Sequence, residues 1–389
     1  MSGRFAIDQL ISSDPCPWYP SGGAPDARKA HAFLAGRKFP IVEGTLVTFV
    51  WHGHADGVSL RHWIYGLESS TALTHIHGTD IFYLTLEIPA RSRVEYKFEI
   101  HRGSSSHWIE DPLNPNRARD PFGANSVLQS DGYEIPSWTK HDPVARPGTL
   151  EPFTFESRAV GRRTGQFYLP ARFRRSRQYP LLVVHDGSDY LNYACMKVVL
   201  DNLIERLEVP DLVVAFTDSP DRLREYANEA AHARFLTEEL LPHLTTLFPL
   251  FDRPQSRCLM GASFGAIAAF STAYRYPGLW GRLLLQSGSF AFTDIGKRNR
   301  RGPLFDRVVE FMNGYRAEPK AVSERVFMSC GVYESLIYEN RSLVPIFDAT
   351  GMQVRFVEAR DGHNWENWRD RLREGLSWLF PGPLMFVYE

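Results

Sequence analysis

The sequence lacks any apolar run long enough to span a bilayer, although 43% of its 389 residues are hydrophobic. Its first residues contain neither the sustained apolar core nor the small-residue cleavage site of a secretory signal peptide. Cysteine is scarce, with four in the chain, and Cys258 and Cys330 lie in apolar strand-like runs that favour buried free thiols. These absences predict a cytoplasmic protein with reduced thiols.

Neither sign of charge is in excess, since the chain has 44 Lys and Arg residues and 45 Asp and Glu residues. This balance gives no indication of binding to nucleic acid or to an anionic membrane. The Asp, Glu and His residues form no cluster with metal-ligand spacing, so we expect neither a metal nor a cofactor. The chain is too long for one ordinary core, and its length predicts two domains.

Short alternating stretches dominate the first part of the chain, each with β-branched or aromatic residues and separated by turns with Gly or Asp. They lie at residues 45–51, 61–65, 81–88 and 93–100. This spacing predicts a small immunoglobulin-like β-sandwich within residues 1–135. The Asp- and Pro-rich stretch 108–128 is expected to be an ordered loop leading into the last strand. A second proline-spaced stretch, 136–152, is the predicted domain linker.

From residue 153 to residue 389, predicted strands alternate with predicted helices. The continuous apolar run 179–185 is typical of a strand buried on both faces. The other strands are expected near residues 151–158, 163–169, 211–216, 258–260, 283–287, 325–330 and 353–358, and the main helices at residues 194–208, 224–247 and 365–379. This alternation predicts an α/β domain.

The sequence Gly-Ala-Ser-Phe-Gly at residues 261–265 stands between a short apolar run and a helix of small residues. This is the nucleophile-elbow pattern with the strand before it and the helix after it that the pattern requires. Ser263 must lie on a strained turn, and the two glycines allow the close backbone approach. Together with the alternation of strands and helices, the elbow predicts an α/β-hydrolase with Ser263 as the nucleophile.

An α/β-hydrolase needs an acid and a histidine after the nucleophile, in that order and on loops after strands. His363 follows the last predicted strand and opens the last predicted helix, where it can act as general base. Glu334 follows the strand at 325–330 and is the predicted acid. Glu339 and Asp361 are the alternatives for that role.

Two backbone N–H groups are needed for an oxyanion hole. One is expected from Phe264, directly after the nucleophile. The other is expected from the loop after the buried strand, where Gly187 would let a substrate oxygen approach the backbone closely.

Several motifs together resemble the enterochelin esterases of the esterase D-type hydrolases: residues 183–187, 261–265, 331–336 and 361–365, and the stretch 108–115 at the end of the β domain. The resemblance covers roughly residues 44–380. It implies a serine-acid-histidine triad and hydrolysis of ester bonds in a tri-catecholate siderophore in the cytosol. Glu334 departs from the Asp that related feruloyl esterases have at this position.

A ferric tri-catecholate is a trianion, so a pocket built for it should bring cations to its mouth. The candidates lie in loops at the carboxyl edge of the predicted sheet and in the Pro-rich loop: Arg222, Arg224, Lys297, Arg298, Arg300, Arg301, Arg117 and Arg119. The alternative is that these side chains are ordinary solvated loop charges.

Two other functions fit the same sequence. An esterase for acylated carbohydrate, either feruloylated or acetylated, could stack sugar rings on Trp51, Trp63 and Trp108 if they are exposed, although aromatic residues in strands usually pack in the core. The same chemistry would also serve a general carboxylesterase. From another class, the chain could be a non-catalytic binding protein on a hydrolase scaffold. In each esterase hypothesis the partner is a small-molecule ester.

Overall fold

The computed structural model describes residues 6–7, 32–295 and 302–383, and these residues fall into two compact units. The N-terminal unit runs to Glu134 and includes Arg360–Gly362. The C-terminal unit comprises Ile135–Ala359 and the residues from His363 onward. In the described ranges, no helix is both long enough and apolar enough to cross a membrane.

The N-terminal unit is built from antiparallel strands. They are β1 (Ile41–Glu43), β2 (Leu46–His52), β3 (Gly57–His62), β4 (Ser70–Ala72), β5 (Thr74–His75), β6 (Ile81–Glu87), β7 (Arg93–Arg102), β8 (Ser105–Ile109), β9 (Arg117–Asp120) and β10 (Gly123–Gln129). One sheet has the order β1-β2-β6-β5, and the other has the order β4-β3-β7-β10-β9 with β8 also paired to β7. Phe49 of β2 and Tyr96 of β7 meet edge to face at 4.9 Å, so the two sheets share a core.

Part of the stretch 108–128, expected to be a loop, is a hairpin made by β9 and β10. The prolines explain how strands fit here. Pro112 and Pro115 precede β9, and Pro121 lies in the turn between the two strands, so none of them interrupts the β9–β10 ladder. Buried Asn114 donates through Nδ2 to the backbone oxygen of Val127 at 2.9 Å, which ties the irregular part to β10.

The C-terminal unit contains a mixed eight-stranded sheet with the order β11-β12-β14-β13-β15-β16-β17-β18. Its strands are β11 (Thr149–Ser157), β12 (Gly161–Leu169), β13 (Leu181–His185), β14 (Val213–Thr217), β15 (Arg257–Ala262), β16 (Arg282–Gln286), β17 (Arg325–Gly331) and β18 (Gln353–Ala359). Neighbours from β14 to β18 are parallel, and β11 and β12 form an antiparallel pair at one edge.

Helices connect the parallel strands. They are α1 (Gly187–Tyr193), α2 (Met196–Glu205), α3 (Arg222–Glu225), α4 (Ala230–Arg234), a π-helical turn at Phe235–Leu240, α5 (Leu241–Leu247), α6 (Phe264–Arg275), α7 (Pro303–Ala317), α8 (Ile337–Ala349) and α9 (Trp365–Leu379). The apolar run in β13 is buried on both faces: Leu181 and Val183 belong to one core, and Leu182 and Val184 belong to the other. This double burial is what a continuous apolar strand predicts.

Two segments differ from the sequence prediction. The helix expected at 224–247 is interrupted after α3, because Asn228 adopts a left-handed φ of 61° and the side chain of Glu229 caps α4. The segment expected to be a linker, 136–152, contains a 3-10 turn at Ser137–Thr139 and the first residues of β11.

Candidate active site

The turn between β15 and α6 has the geometry of a nucleophile elbow. Ser263 stands alone between the two elements with φ 56° and ψ −119°, a conformation that side-chain-bearing residues rarely adopt. A Cβ on Gly261 would lie 2.3 Å from the carbonyl carbon of Gly265. The glycine at 261 is therefore required for the backbone to fold back on itself at this turn.

His363 lies beside the predicted acid. Its Nδ1 is 2.7 Å from Oε2 of Glu334, whose side chain is 1% exposed. Because a carboxylate only accepts, Nδ1 is assigned as the protonated nitrogen, and Nε2 is left with its lone pair free for a proton. This is the tautomer that a general base needs.

Three further donors hold the other oxygen of Glu334. Oε1 accepts from Ser287 Oγ at 2.6 Å, from the backbone N–H of Gly331 at 2.8 Å and from Asn367 Nδ2 at 3.4 Å. A buried carboxylate that accepts this many hydrogen bonds is held in a fixed orientation. The chain therefore presents the acid to His363 in one geometry.

The alternative acids lie in other environments. Asp361, within the N-terminal unit, accepts from Arg93 Nη1 at 3.2 Å and from the backbone N–H of Gly362 at 2.7 Å. Glu339 is buried in the first turn of α8. The carboxylate that bonds His363 Nδ1 is that of Glu334.

The hydroxyl of Ser263 is 3.1 Å from the hydroxyl of Ser289. Among the described residues, this contact is the hydrogen bond of the Ser263 side chain, and none to His363 is formed. Without substrate, catalytic hydrogen bonds are often long or poorly aligned, and they tighten in the complex.

Gly187 and Phe264 each open a helix, α1 and α6 respectively. An N–H at this position has no acceptor four residues earlier in its own helix and points towards the helix entrance. Their strands, β13 and β15, are parallel neighbours, so both N–H groups lie at the same edge of the sheet. A Cβ on Gly187 would lie 2.5 Å from Cβ of Phe216. Glycine is needed at this position because the backbone packs closely against β14.

Two imidazoles are buried next to each other at the end of β13 and in α4, those of His185 and His232. His185 donates through Nδ1 to the backbone oxygen of Met260 at 2.8 Å, and its Nε2 is 3.1 Å from Nε2 of His232. Burial, with a smaller effect of His232, lowers the pKa of His185 to about 3. His185 is therefore neutral and accepts the hydrogen bond from His232.

The predicted cations after β14, expected in a loop, lie in the short helix α3 and are ion-paired. Arg222 makes a bidentate pair with Asp186, at 2.8 Å and 2.9 Å, and Arg224 lies 3.4 Å from Asp221. Burial, with the nearby carboxylates of Asp186 and Asp218, raises the pKa of Asp189 to about 6. This side of the site therefore has its positive charge compensated.

The other predicted cations lie elsewhere. Arg117 pairs with Glu110 at 3.1 Å and also donates to the backbone oxygen of Asp111, and Arg119 is exposed on β9; both belong to the N-terminal unit. The remaining four candidates lie outside the described residues: Lys297, Arg298, Arg300 and Arg301.

The three tryptophans considered for sugar stacking differ in exposure. Trp51 is 7% exposed and packs edge to face on Phe98 in the core of the N-terminal unit. Trp63 and Trp108 are each 50% exposed, and the guanidinium of Arg61 lies 4.8 Å from the ring centroid of Trp108. The prediction of core packing therefore holds for Trp51 and fails for the other two.

An open cleft of about 610 Å³ lies between the loop after β14 and the start of α7. Its lining mixes leucines with charged side chains: Asp221, Leu223, Arg224, Ala227, Glu229, Pro303, Leu304 and Arg307. Phe305, the residue after the lining residue Leu304, has its ring 5.2 Å from that of Phe264, the residue after Ser263.

Sequence reasoning missed the polar residues that support the predicted triad, chiefly Ser287, Ser289 and Asn367. Serine and asparagine are common in loops, so only the position of Ser287 at the end of a predicted strand, with Ser289 two residues later, could have indicated them. Their partners come from distant parts of the chain.

Comparison with known proteins places these observations in a family. Residues 157–379 match the model of the Esterase family. The iron(III) enterobactin esterase of Escherichia coli O6:H1 is 24% identical over 368 residues, covering 85% of this chain and 90% of that enzyme. The enzyme of the same description from Dickeya dadantii is 29% identical over 215 residues, which is 53% of this chain and about half, 48%, of the length of that relative.

Solved structures show the same fold. The enterobactin esterase of Shigella flexneri, solved in the presence of enterobactin, aligns with a TM-score of 0.70 at 22% identity, over 86% of this chain and 92% of that one. The ferulic acid esterase of Anaeromyces mucronatus aligns with a TM-score of 0.51 at 15% identity, over 62% of this chain and 94% of that one. The mixed sheet with its helices is thus an α/β-hydrolase fold.

Proposed function

The chain belongs to the Esterase family and is a carboxylic-ester hydrolase, and from this premise we propose that Ser263, His363 and Glu334 are its catalytic triad. The observation that supports the proposal most is the 2.7 Å bond between Glu334 and His363 Nδ1 in the same unit as the strained turn at Ser263. The three residues occur in the chain order of α/β-hydrolases, serine, acid, histidine.

The proposed reaction is acyl transfer to water. His363 Nε2 takes the proton of Ser263 Oγ, and Oγ attacks the ester carbonyl carbon. The N–H groups of Gly187 and Phe264 stabilise the oxyanion, and the imidazolium then protonates the leaving alcohol. Water, activated by His363, attacks the acyl-enzyme and releases the acid. Glu334 holds the imidazole in position and stabilises its charged form.

The proposed substrate class is an ester of a ferric catecholate siderophore, of the enterobactin-like trilactone type. Coverage supports this choice, because the match to the Escherichia coli enzyme extends over 85% of this chain, whereas the ferulic acid esterase aligns over 62%. The proposal includes an immunoglobulin-like sandwich for the N-terminal unit, supported by its two antiparallel sheets around one core. It also includes a cytoplasmic location, supported by the free thiols of the described cysteines.

The exposed tryptophans favour a second candidate, an esterase for acylated carbohydrate. Trp63 and Trp108 offer aromatic surface to solvent, as sugar-binding surfaces do. A third possibility, a binding protein whose turnover is incidental, predicts an unactivated serine.

The experiment compares the wild-type protein with Ser263→Ala and with Ser271→Ala, which alters a buried serine in α6 outside the site. The substrates are p-nitrophenyl acetate, a ferric tri-catecholate lactone and a feruloylated sugar, with product analysis. We expect Ser263→Ala to lose ester hydrolysis and fluorophosphonate labelling while remaining folded, and Ser271→Ala to keep both. Full activity of Ser263→Ala contradicts the mechanism. Cleavage of the sugar ester alone supports the second candidate, and a folded wild-type protein that is not labelled supports the third.

A further inference from the structure

The segment Gln286–Ser289, which begins with the last residue of β16, contacts the nucleophile at three points. The backbone N–H of Ser263 donates to the oxygen of Gln286 at 2.9 Å, and the N–H of Ser289 donates to the oxygen of Ser263 at 3.1 Å. The hydroxyl oxygens of Ser263 and Ser289 are 3.1 Å apart, and Ser289 is 4% exposed. The backbone hydrogen bonds and the side-chain contact together place the hydroxyl of Ser289 beside Oγ of Ser263.

The same segment also contacts the proposed acid. Ser287 donates through Oγ to Glu334 Oε1 at 2.6 Å, and Trp368 Nε1 donates to Ser287 Oγ at 2.9 Å. Ser287 has a φ of 46°, an uncommon conformation for a serine. Two serines, two residues apart, therefore contact the two ends of the proposed triad.

The surroundings of the segment hold it rigidly. Asn340 accepts from the N–H of Gly288 at 3.2 Å and donates to its oxygen at 2.9 Å. A Cβ on Gly288 would lie 2.1 Å from the buried ring of Phe290, so another residue here would force that ring to move. Gln286 accepts from the hydroxyl of Tyr190 at 2.8 Å. Ser289 thus has a fixed position relative to the elbow.

We infer that Ser289 is a positioning residue for the nucleophile, an inference that rests on the proposed function. When Ser263 directs its hydroxyl proton to His363, it cannot donate to Ser289. Only the hydroxyl proton of Ser289 can then bridge the two oxygens. Ser289 Oγ–H then donates to Ser263 Oγ. This bond holds the oxygen in place as negative charge develops on it, and hydrogen bonds to charged acceptors are the strong ones. Ser289 itself gains or loses no covalent bond.

The experiment uses the full chain and compares Ser289→Ala, Ser289→Thr and the control Ser271→Ala. Ser271 is also buried, and its hydroxyl donates within α6, to the oxygen of Ala268 at 3.3 Å. The readouts are the second-order rate constant of fluorophosphonate labelling, kcat and KM for p-nitrophenyl acetate, and the pH profile of kcat/KM. We expect Ser289→Ala to lower the labelling rate and kcat about tenfold, as the loss of one hydrogen bond to a developing charge does. KM and the pH midpoint should not change, and Ser289→Thr should recover most of the loss because it keeps the hydroxyl.

Labelling of Ser289→Ala at the wild-type rate, or faster, overturns the inference. Equal losses in Ser289→Ala and Ser289→Thr also overturn it, because the hydroxyl would then not be the cause. Failure of the proposed function looks different: the folded wild-type protein would not be labelled, or Ser263→Ala would be labelled as well as the wild type.

Discussion

At the scale of single residues, the proposed role of Glu334 is to fix the tautomer of His363. Its two oxygens receive four donors, and only one of these belongs to the imidazole of His363. In Glu334→Gln the amide can offer N–H to Nδ1, which favours the wrong tautomer and leaves Nε2 protonated. We expect kcat to fall by roughly 10³-fold or more with little change in KM. Steady-state kinetics with p-nitrophenyl acetate measures both.

Glu339→Gln is the matched control, because it alters a buried carboxylate on α8 that was the alternative acid. It should retain activity within a few-fold. If Glu339→Gln loses activity and Glu334→Gln keeps it, the assignment of the acid is wrong.

The buried neutral His185 gives a second prediction at this scale, one of stability. Its pKa is about 3 in the folded chain and about 6.5 when unfolded. Below pH 6.5 the unfolded chain binds a proton that the folded chain does not, so the free energy of unfolding falls as the pH falls from 6.5 towards 3. This group can contribute at most about 3 kcal/mol of that loss between pH 6.5 and pH 4.

Carboxylates also titrate in this range, so the test is a comparison of slopes. In His185→Asn, urea unfolding measured between pH 4 and pH 7 should show a weaker dependence on pH than in the wild type. His232, which contacts His185 and whose pKa is also lowered by burial, stays in both proteins. Identical slopes would contradict the prediction.

At the scale of elements, the turn from β13 into α1 depends on close packing against β14. In Gly187→Ala the new methyl group would meet the Cβ and backbone of Phe216 at 2.5–2.6 Å, so β13 or β14 must move. Overpacking of this kind costs about 1–3 kcal/mol of stability. The displaced N–H should also lower kcat by roughly 10²-fold or more, as the loss of an oxyanion donor does.

Gly314→Ala is the control, because a Cβ at this position in α7 has nothing within 4 Å. Alanine favours helix over glycine by roughly 0.5–1 kcal/mol, so this variant should be slightly more stable and fully active. Equal behaviour of the two variants in urea unfolding and ester hydrolysis would show that packing at Gly187 is not the cause.

The elements differ in how far the sequence could predict them. The strand, turn and helix around Ser263 depend on local signals, glycines and small residues, and so does the buried strand ending at His185. The break at Asn228 depends on tertiary contacts: Arg275 of α6 donates to the side chain and the backbone oxygen of Asn228, at 2.7 Å and 3.1 Å. The contacts of Ser287 and Ser289 join residues 26 to 81 positions apart, which no local pattern encodes.

At the scale of the whole molecule, the distribution of charge distinguishes an enzyme for a trianionic ferric complex from one for a neutral ester. The chain has a net charge of −1, and the arginines of α3 are paired with Asp186 and Asp221. Arg307, in the lining of the cleft, is paired with Glu229 at 2.5 Å. A trianionic ferric complex therefore needs positive charge from other residues. The basic residues between β16 and α7, which lie outside the described ranges, are the candidates from the sequence.

The last prediction concerns these four residues: Lys297, Arg298, Arg300 and Arg301. Changed together to Ser, they should raise KM for a ferric tri-catecholate lactone at least about tenfold, which corresponds to about 1.4 kcal/mol. Turnover of neutral p-nitrophenyl acetate should barely change, and the effect should shrink at high salt because exposed charges are screened. The matched control removes four exposed arginines from the loop before β13, at the amino end of that strand: Arg172, Arg174, Arg175 and Arg177. A loss of the same size in the control would indicate a non-specific effect of net charge, and no loss for the ferric substrate in the first variant would favour a neutral or sugar ester.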